Sequence, residues 1–343
     1  MTLITFVVPC FNSAAYMCRC IDSLLAAGDR IQIVIVDDGS TDDTGRIADD
    51  YASRYPGTVE AIHQENGGHG AGVNAGLSRV RGKYFKVVDS DDRLETGALT
   101  RLMLRIEEDT ASGTEPDMYL ANFVYDKPSA GTRFSRRYVE NFPTGRIFGW
   151  EEVRPFRFSN VLLMHSMIVR TEVLRASGLH LPEHCFYVDN IFAYRPLPFI
   201  KTMYYLDVDL YLYFIGREDQ SVTRANIVKR YRQQLRVMDE LLRAYTYEEL
   251  RRLPKALRRY MEHDISVLLC LTIMFTTNGR EELPKRREAL KAMWKELRAR
   301  DRGMYRFLRH RSYAALIAWM PFSWQKFFTD LGYRYFSRHI NCS

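Results

Sequence analysis

The sequence lacks the features that carry a protein into or across a membrane. No basic segment followed by an apolar one opens the chain, because strand-forming residues begin at Leu3. No apolar run approaches the roughly 18 residues that a membrane-spanning helix needs. The six cysteines show no metal-ligand spacing, and without a secretion signal they are expected to be reduced thiols. We therefore expect a cytoplasmic protein.

Two sequence motifs are missing, and their absence argues against two classes of function. Arginine and aromatic residues are frequent near the C-terminus, but no recognised nucleic-acid-binding motif accompanies them, so no nucleic-acid partner is expected. A nucleotidyltransferase on a parallel sheet would need a Gly-rich basic loop after the first strand. The segment PCFN at residues 9–12 is not such a loop.

The chain has 343 residues, of which 46% are hydrophobic, enough for a substantial core. Its formal charge of +7 is uneven, because basic residues outnumber acidic ones by about two to one after Arg224. We predict a catalytic domain over residues 1–222 and a basic, aromatic-rich helical region over residues 223–343.

The first hundred residues alternate short β-branched runs with helical stretches, a pattern typical of a parallel sheet with crossover helices. Apolar residues recur at helical spacing from Ile227 onward. The predicted fold class is α/β, with a mostly parallel central sheet, flanking helices and a helical C-terminal region. The predicted strands are residues 4–8 (ended by Pro9), 31–36, 59–62 and 84–88. The predicted helices are residues 14–26 (capped by Asn12 or Ser13), a second that starts at Thr41 or Asp42 and reaches about Tyr55, and a third that ends at Val80.

An acidic segment, Asp89-Ser90-Asp91-Asp92, follows the fourth predicted strand. Three carboxylates in four residues repel each other when partly desolvated, and a divalent cation is the usual means of stabilising them. Mg²⁺ or Mn²⁺ suits such oxygen ligands and would also neutralise a diphosphate. The alternative is a solvated turn in which Asp92 caps a helix near Leu94.

Polar residues also follow two other predicted strands, where ligands bind in open α/β sheets. Asp37 and Asp38 offer acceptors for a base N–H or ribose hydroxyls, although a turn with a helix cap would explain them equally well. The glycine-rich loop at residues 66–72 is expected to leave backbone amides uncovered near a helix N-terminus, where anions are favoured.

The order and spacing of these segments resemble the family 2 glycosyltransferases, which have the GT-A fold. The resemblance covers about the first 95 residues. It is carried by VVPCFN at residues 7–12, IVDDGSTD at 35–42, NGG at 66–68 with NAG at 74–76, and VDSDD at 88–92.

The resemblance implies an inverting, metal-dependent transferase of the hexosyl or N-acetylhexosaminyl type that uses a nucleotide-sugar donor, with UDP as the expected nucleotide. The D-x-D motif matches Asp89 and Asp91, which would bind Mn²⁺ or Mg²⁺. Val73 stands where many members carry an arginine. The implied donor-binding residues are Pro9, Phe11, Asn12, Asp37, Asp38, Asn66, Gly68, Asp89, Ser90 and Arg217, the last as a phosphate ligand or a loop ion-pair partner.

An inverting transfer requires a carboxylate that takes the proton from the acceptor hydroxyl. The family places it as the Asp of a Glu-Asp pair before a helix, and the match here is Asp189, with Val188 in place of the Glu. Asp189 is therefore the predicted catalytic base, with a helix N-cap as the alternative.

The C-terminal segment, residues 304–343, interleaves aromatic residues with Arg and Lys. This composition suits a helix at the inner face of the cell membrane, and also a helix packed on the protein or in an oligomer contact. The resemblance implies a glycan or lipid-linked acceptor in the synthesis of cell-envelope polysaccharide or glycolipid. The competing hypothesis is a sugar-nucleotide-binding or membrane scaffold that has lost catalysis at Val73 and Val188.

Overall fold

The computed structural model describes residues 1–128, 131–158, 160–216, 226, 229–278, 282–329 and 331. The chain divides into two compact units. The first comprises Met1–Arg154 and Leu162–Arg217, and the second comprises Pro155–Val161 and Glu218–Ser343. The boundary predicted at residue 222 lies outside the described residues and stays a prediction.

The first unit is built on a sheet in which ten described strands take part. Four strands at one side, in the order β3-β2-β1-β4, are parallel, and the order continues as β9-β6-β10-β5, with β7 beside β6 and β8 beside β10. The strands are Ile4–Cys10 (β1), Ile31–Asp37 (β2), Val59–His63 (β3), Tyr84–Val87 (β4), Arg93–Leu94 (β5), Met118–Lys127 (β6), Thr132–Arg136 (β7), Ile147–Gly149 (β8), Met167–Arg170 (β9) and Thr202–Phe214 (β10).

Helices of the same unit connect the strands and cover the sheet. Every residue of β1 and β2 is buried, which is expected of parallel strands covered on both faces. The helices are Met17–Leu25 (α1), Thr44–Arg54 (α2), His69–Ser78 (α3), Thr96–Ser112 (α4), Thr171–Ala176 (α5) and Asp189–Tyr194 (α6). The predicted mixed α/β fold class is confirmed.

The strand predicted to stop at Pro9 continues to Cys10. β4 pairs with β1 only as far as Val7, so Pro9 borders an unpaired edge on that side. A missing N–H is tolerated at such an edge, and Pro9 therefore pairs with Val36 of β2 without breaking the strand.

The first helix begins three residues later than predicted, at Met17, and neither Asn12 nor Ser13 caps it. Asn12 has a φ of 49°, and its side-chain oxygen accepts a hydrogen bond from the Thr41 N–H at 2.9 Å. The hydroxyl of Ser13 lies 2.8 Å from that of Ser90. Both polar side chains thus hydrogen-bond to residues in the segments after β2 and β4 and not to the N-terminus of α1.

The two longest strands, β6 and β10, run parallel to each other, and β9 lies antiparallel between β4 and β6. The register of β10 shifts between Leu206 and Tyr211, as expected of a bulged strand. Beyond this irregularity, Tyr211 and Phe214 reach the acidic segment that follows β4. The middle of the chain therefore completes both the sheet and one wall of the site.

The second unit is helical, as predicted. The buried face of its first long helix includes Tyr231, Val237, Met238, Leu241 and Leu242, all of which the helical spacing had identified. No helix of the described residues is both long enough and apolar enough to cross a membrane. The helices are Tyr231–Ala244 (α7), Tyr247–Arg252 (α8), Lys255–Thr277 (α9), Leu283–Arg300 (α10), Arg302–His310 (α11) and Ala315–Trp319 (α12), followed by helical residues 322–329.

The close contact between α3 and β1 depends on Gly76. A Cβ at this position would lie 2.3 Å from Cγ1 and 2.6 Å from Cγ2 of Val7. We expect Gly76→Ala to lower the free energy of unfolding by about 1–3 kcal/mol through overpacking, although alanine alone favours a helix. Urea unfolding followed by circular dichroism measures this change.

The matched control is Ser78→Ala, an exposed position on the same helix. Its free energy of unfolding should change by no more than about 0.5 kcal/mol. If Gly76→Ala proves as stable as the parent protein, the contact between α3 and β1 can accommodate a methyl group, and the prediction is wrong.

Candidate active site

The predicted donor-binding residues of the first hundred positions gather at the carboxyl ends of β1, β2, β3 and β4. Pro9 and Asp37 are in the last residues of β1 and β2, the others lie in the loops that follow the strands, and hydrogen bonds join these loops to one another. Phe11 is half exposed at the tip of the loop after β1. The backbone N–H of Asn12 donates to the Ser40 hydroxyl at 3.0 Å, which fixes this loop to the one after β2.

The two carboxylates after β2 have different partners. Asp38 is buried and accepts hydrogen bonds from the backbone N–H groups of Gly67 at 2.9 Å and Gly68 at 2.7 Å. Asp37 accepts from the Ser40 N–H at 3.0 Å and lies 3.0 Å from Nδ1 of His63. Burial alone would raise the pKa of Asp37, but these hydrogen bonds lower it below its ordinary value.

The glycine-rich loop is held by Asp38. The Asn66 side chain donates to the Asp38 carbonyl at 2.9 Å, and Gly68 adopts a φ of 84° that favours glycine. The expectation that this loop leaves its amides uncovered is wrong for Gly67 and Gly68, because the Asp38 carboxylate covers both. Asp38 therefore fixes, at the end of β2, a loop that is remote in sequence.

The acidic segment after β4 is buried to different degrees. Asp92 and Ser90 are buried, whereas Asp89 and Asp91 are partly exposed. Asp92 accepts hydrogen bonds from the Tyr211 hydroxyl at 2.6 Å and the Phe214 N–H at 2.7 Å.

The alternative of a solvated turn with a helix cap near Leu94 is therefore wrong for Asp92. Residues Arg93–Leu94 form β5, and the next helix is capped by Glu95. The Asp92 carboxylate accepts hydrogen bonds from β10 and does not cap a helix.

Two histidines lie close to the Asp89 carboxylate, one near each oxygen. His69, the first residue of α3, places Nε2 2.8 Å from Oδ1 of Asp89, and His165 places Nε2 3.5 Å from Oδ2. Burial opposes the charge on Asp89, but the adjacent imidazoles of His69 and His165 hold its pKa well below the ordinary range. From the sequence, His69 could replace the missing cation at Val73 or lie at the surface, and His165 could be a metal ligand or satisfy local hydrogen bonds, because nothing local marks the role of either residue.

A buried lysine hydrogen-bonds to the backbone of His165. Lys86 of β4 is fully buried, and its Nζ donates to the His165 carbonyl at 2.7 Å. Burial lowers the pKa of Lys86 to about 7, and the charge of Asp89 opposes this shift. A potential cation thus lies close enough to Asp89 for the two charges to interact.

Ligand atoms of Asp89, Asp92 and His165 lie within 4.8 Å of one another, a spacing that could hold a metal ion. Neither ring nitrogen of His165 makes a hydrogen bond within the described part of the chain, although the side chain is buried. Such a side chain, beside a carboxylate, fits a divalent cation with mixed oxygen and nitrogen ligands. The predicted pair of Asp89 and Asp91 and this cluster share Asp89.

Asp189 is the first residue of α6, and the N-cap position is occupied by Val188. The alternative that Asp189 is the helix N-cap is therefore wrong. The side chain is partly exposed. Burial raises the pKa of Asp189 above its ordinary value, while the nearby charges of His165 and His69 act in the opposite direction. The predicted base therefore lies beside the same cluster as Asp89.

The segment before Asp189 is tied to the glycine-rich loop and to α3. Asn74 donates to the Leu181 carbonyl at 2.8 Å and accepts from its N–H at 3.0 Å. The His184 N–H donates to the Gly67 carbonyl at 2.6 Å. The predicted Arg217 lies outside the described residues, and Val73 is fully buried.

The amino-acid sequence is similar to those of known glycosyltransferases. The profile described as Glycosyl transferase family 2 matches residues 5–166. The chain is 34% identical over 154 residues to glycosyltransferase GlyG of Streptococcus pneumoniae, covering 44% of this chain and 47% of GlyG. It is 28% identical over 252 residues to the putative glycosyltransferase EpsH of Bacillus subtilis, covering 68% of this chain and 64% of EpsH. The match thus spans about half of GlyG.

Solved structures share the fold. A crystal structure of S. aureus TarS 1-349 in complex with UDP-GlcNAc superposes with a TM-score of 0.64 at 21% identity, covering 90% of this chain and 87% of that one. The mannosyltransferase PcManGT from Pyrobaculum calidifontis, in complex with GDP-Man and Mn2+, gives a TM-score of 0.53 at 13% identity, covering 95% and 84% of the chains. The expected GT-A architecture is confirmed.

The buried hydrogen bonds of Tyr211 lead to a stability prediction. Its hydroxyl accepts from the Asp89 N–H at 3.1 Å and donates to Asp92. Tyr211→Phe removes the hydroxyl and so both hydrogen bonds, and we expect the free energy of unfolding to fall by about 1–3 kcal/mol. Urea unfolding measures the loss, and Tyr213→Phe, a partly exposed site on the same strand, should change by at most about 0.5 kcal/mol. Equal losses in the two variants would contradict a specific role of the Tyr211 hydroxyl.

Proposed function

We propose that this chain, which belongs to glycosyltransferase family 2, transfers a sugar from a UDP-sugar to a hydroxyl group of a glycan or lipid-linked acceptor. The sugar is a hexose or an N-acetylhexosamine, and the product serves cell-surface polysaccharide or glycolipid synthesis. The observation that carries the proposal is the position of Asp189 beside the Asp89–His69–His165 cluster, which lies at the strand ends that carry the donor-binding motifs. Residues 1–222 form the proposed catalytic domain.

The donor pocket is assigned to the loops after β1 and β2. Phe11 has the exposure that stacking on a base requires, and Asn12 and Pro9 complete that wall. Asp37 and Asp38 are assigned to the ribose and the base, with Asn66, Gly68 and Ser90 along the nucleotide and Arg217 on the diphosphate. The UDP-GlcNAc complex of TarS, which shares the fold, supports UDP as the nucleotide.

Mn²⁺ or Mg²⁺ is the proposed cofactor, held by Asp89 and Asp91 with His165 as an additional ligand. When bound, the cation supplies charge that stabilises the leaving diphosphate. The chain itself supplies the closely spaced carboxylates of Asp89 and Asp92 beside the buried His165 imidazole, which makes no hydrogen bond to a described residue.

Asp189 is the proposed catalytic base. As the acceptor oxygen bonds to the anomeric carbon, the bond from that carbon to the diphosphate oxygen breaks, and the acceptor proton passes to the Asp189 carboxylate. A single displacement of this kind inverts the anomeric configuration. The raised pKa of Asp189 makes it a stronger base than an exposed aspartate.

The first experiment separates donor binding from catalysis. UDP, GDP and ADP are titrated calorimetrically into the protein with Mn²⁺ and again with EDTA, and UDP release is measured from UDP-sugars with candidate acceptors. We expect metal-dependent, UDP-selective binding that Asp91→Ala abolishes. Asp189→Asn should bind UDP like the parent protein but transfer sugar at least about 100-fold more slowly.

Asp50→Ala is the matched control, because it removes an exposed carboxylate of α2 on the same domain. It should leave binding and transfer unchanged. Transfer at the parent rate in Asp189→Asn would show that the base is another residue. Absence of nucleotide binding in the parent protein would favour the scaffold hypothesis.

The C-terminal region is the proposed contact with the inner face of the cell membrane. Five large apolar side chains of this region are more than half exposed: Leu316, Trp319, Trp324, Phe327 and Leu331. Residues 302–331 carry five Lys and Arg but one acidic residue, Asp330. Exposed tryptophans with a cationic surround suit the headgroup zone of an anionic bilayer better than water.

Vesicle flotation tests the membrane contact. The protein should float with vesicles that contain phosphatidylglycerol and much less with neutral vesicles. Trp324→Ser with Phe327→Ser should reduce flotation several-fold, because both side chains are exposed apolar surface. Leu104→Ser, an exposed apolar position on α4, is the control and should float like the parent. Unchanged flotation of the double variant would contradict the membrane contact.

A further inference from the structure

His63 links the donor pocket to α2. It ends β3 directly opposite Asp37 in the pairing of β2 with β3. Its Nδ1 lies 3.0 Å from Oδ2 of Asp37, and its Nε2 lies 3.0 Å from Oδ1 of Asp49 on α2. The imidazole therefore bridges two carboxylates, one in the pocket and one outside it.

This geometry requires a particular charge state. An ionised carboxylate only accepts hydrogen bonds, so both ring nitrogens of His63 must donate, and only the imidazolium can do so. Hydrogen bonds to Asp49 and Asp37 raise the pKa of His63 above its ordinary value, and partial burial opposes the shift. The charged groups that face the ring are Asp37 on β2 and Asp49 on α2.

The backbone of α2 makes room for this pair at Gly45. A Cβ there would lie 2.8 Å from Oδ2 of Asp37 and 3.5 Å from Cε1 of His63. With Oδ1 held by the Ser40 N–H and Oδ2 held by His63, both oxygens of Asp37 are fixed. The Asp37 carboxylate thus has a single orientation, and His63 holds one of its two oxygens.

We propose that His63 is a positioning residue of the donor site, which as an imidazolium joins Asp37 to Asp49 and holds the Asp37 carboxylate ready for the ribose hydroxyls of a nucleoside-diphosphate sugar. The inference rests on the proposed function, in which Asp37 contacts the ribose. Below the pKa of His63 both hydrogen bonds are present. Above it the neutral ring keeps only one donor, so donor affinity falls as pH rises.

The test measures the Kd of UDP-GlcNAc in the presence of Mn²⁺ by calorimetry between about pH 5.5 and 8.0, the range in which histidine titrates. The parent protein should bind about tenfold more weakly at the upper end, as expected when one charge-assisted hydrogen bond is lost. His63→Gln should bind weakly at every pH, close to the high-pH value of the parent. His63 is about half exposed, and unchanged thermal unfolding of the variant verifies its fold.

Two further variants isolate the mechanism. Gly45→Ala should weaken binding at low pH with His63 intact, because the new methyl group displaces the Asp37 carboxylate. Asp49→Asn removes one of the two carboxylates that stabilise the imidazolium, so the loss of affinity should move to lower pH. Neither effect is expected from a residue that merely supports the fold.

The outcomes are separable from those of the proposed function. If His63→Gln retains the parent affinity at low pH, His63 does not position the donor site, while metal-dependent binding by the parent would leave the glycosyltransferase proposal intact. If the parent binds no nucleotide or nucleotide-sugar, the proposed function fails, and this inference fails with it.

Discussion

The crowding of carboxylates at the end of β4 is the constraint on which the rest of the first unit depends. Asp92 is buried and Asp89 is partly so, and mutual repulsion makes such a cluster unstable unless other groups compensate for it. The compensating groups come from distant parts of the chain: His69 on α3, His165 before β9, and Tyr211 on β10. The cluster can therefore form only when the sheet has closed from β4 to β10, so the fold and the site stabilise each other.

Much of the fold was predictable because the relevant signals are local. The strands at residues 31–37 and 59–63, predicted as 31–36 and 59–62, follow from runs of β-branched residues. The buried face of α7 follows from the helical spacing of its apolar residues. Errors arose where a tertiary contact overrides a local preference. Pro9 continues a strand because its neighbour strand has already ended, and Ser13 leaves the helix terminus for a hydrogen bond with Ser90.

The candidate site was predictable to the extent that its residues sit in motifs. The segments around Asp37 and Asp89 identified themselves by composition and order along the chain. His63, Lys86 and His165 did not, because each acts through a partner on another strand or helix and no spacing along the sequence reveals it. The assigned roles of the motif residues, Asp189 among them, stay predictions.

The double hydrogen bond between Asn74 and Leu181 has a consequence for how this architecture diversifies. The Asn74 amide hydrogen-bonds to the backbone carbonyl and N–H of Leu181, so these two bonds do not involve a side chain of the loop. Glu183 and Phe186, which are exposed positions between this anchor and Asp189, can therefore change their side chains without loss of these two hydrogen bonds to α3. Sequence variation at the surface of this short loop is thereby uncoupled from the position of Asp189 at the start of α6.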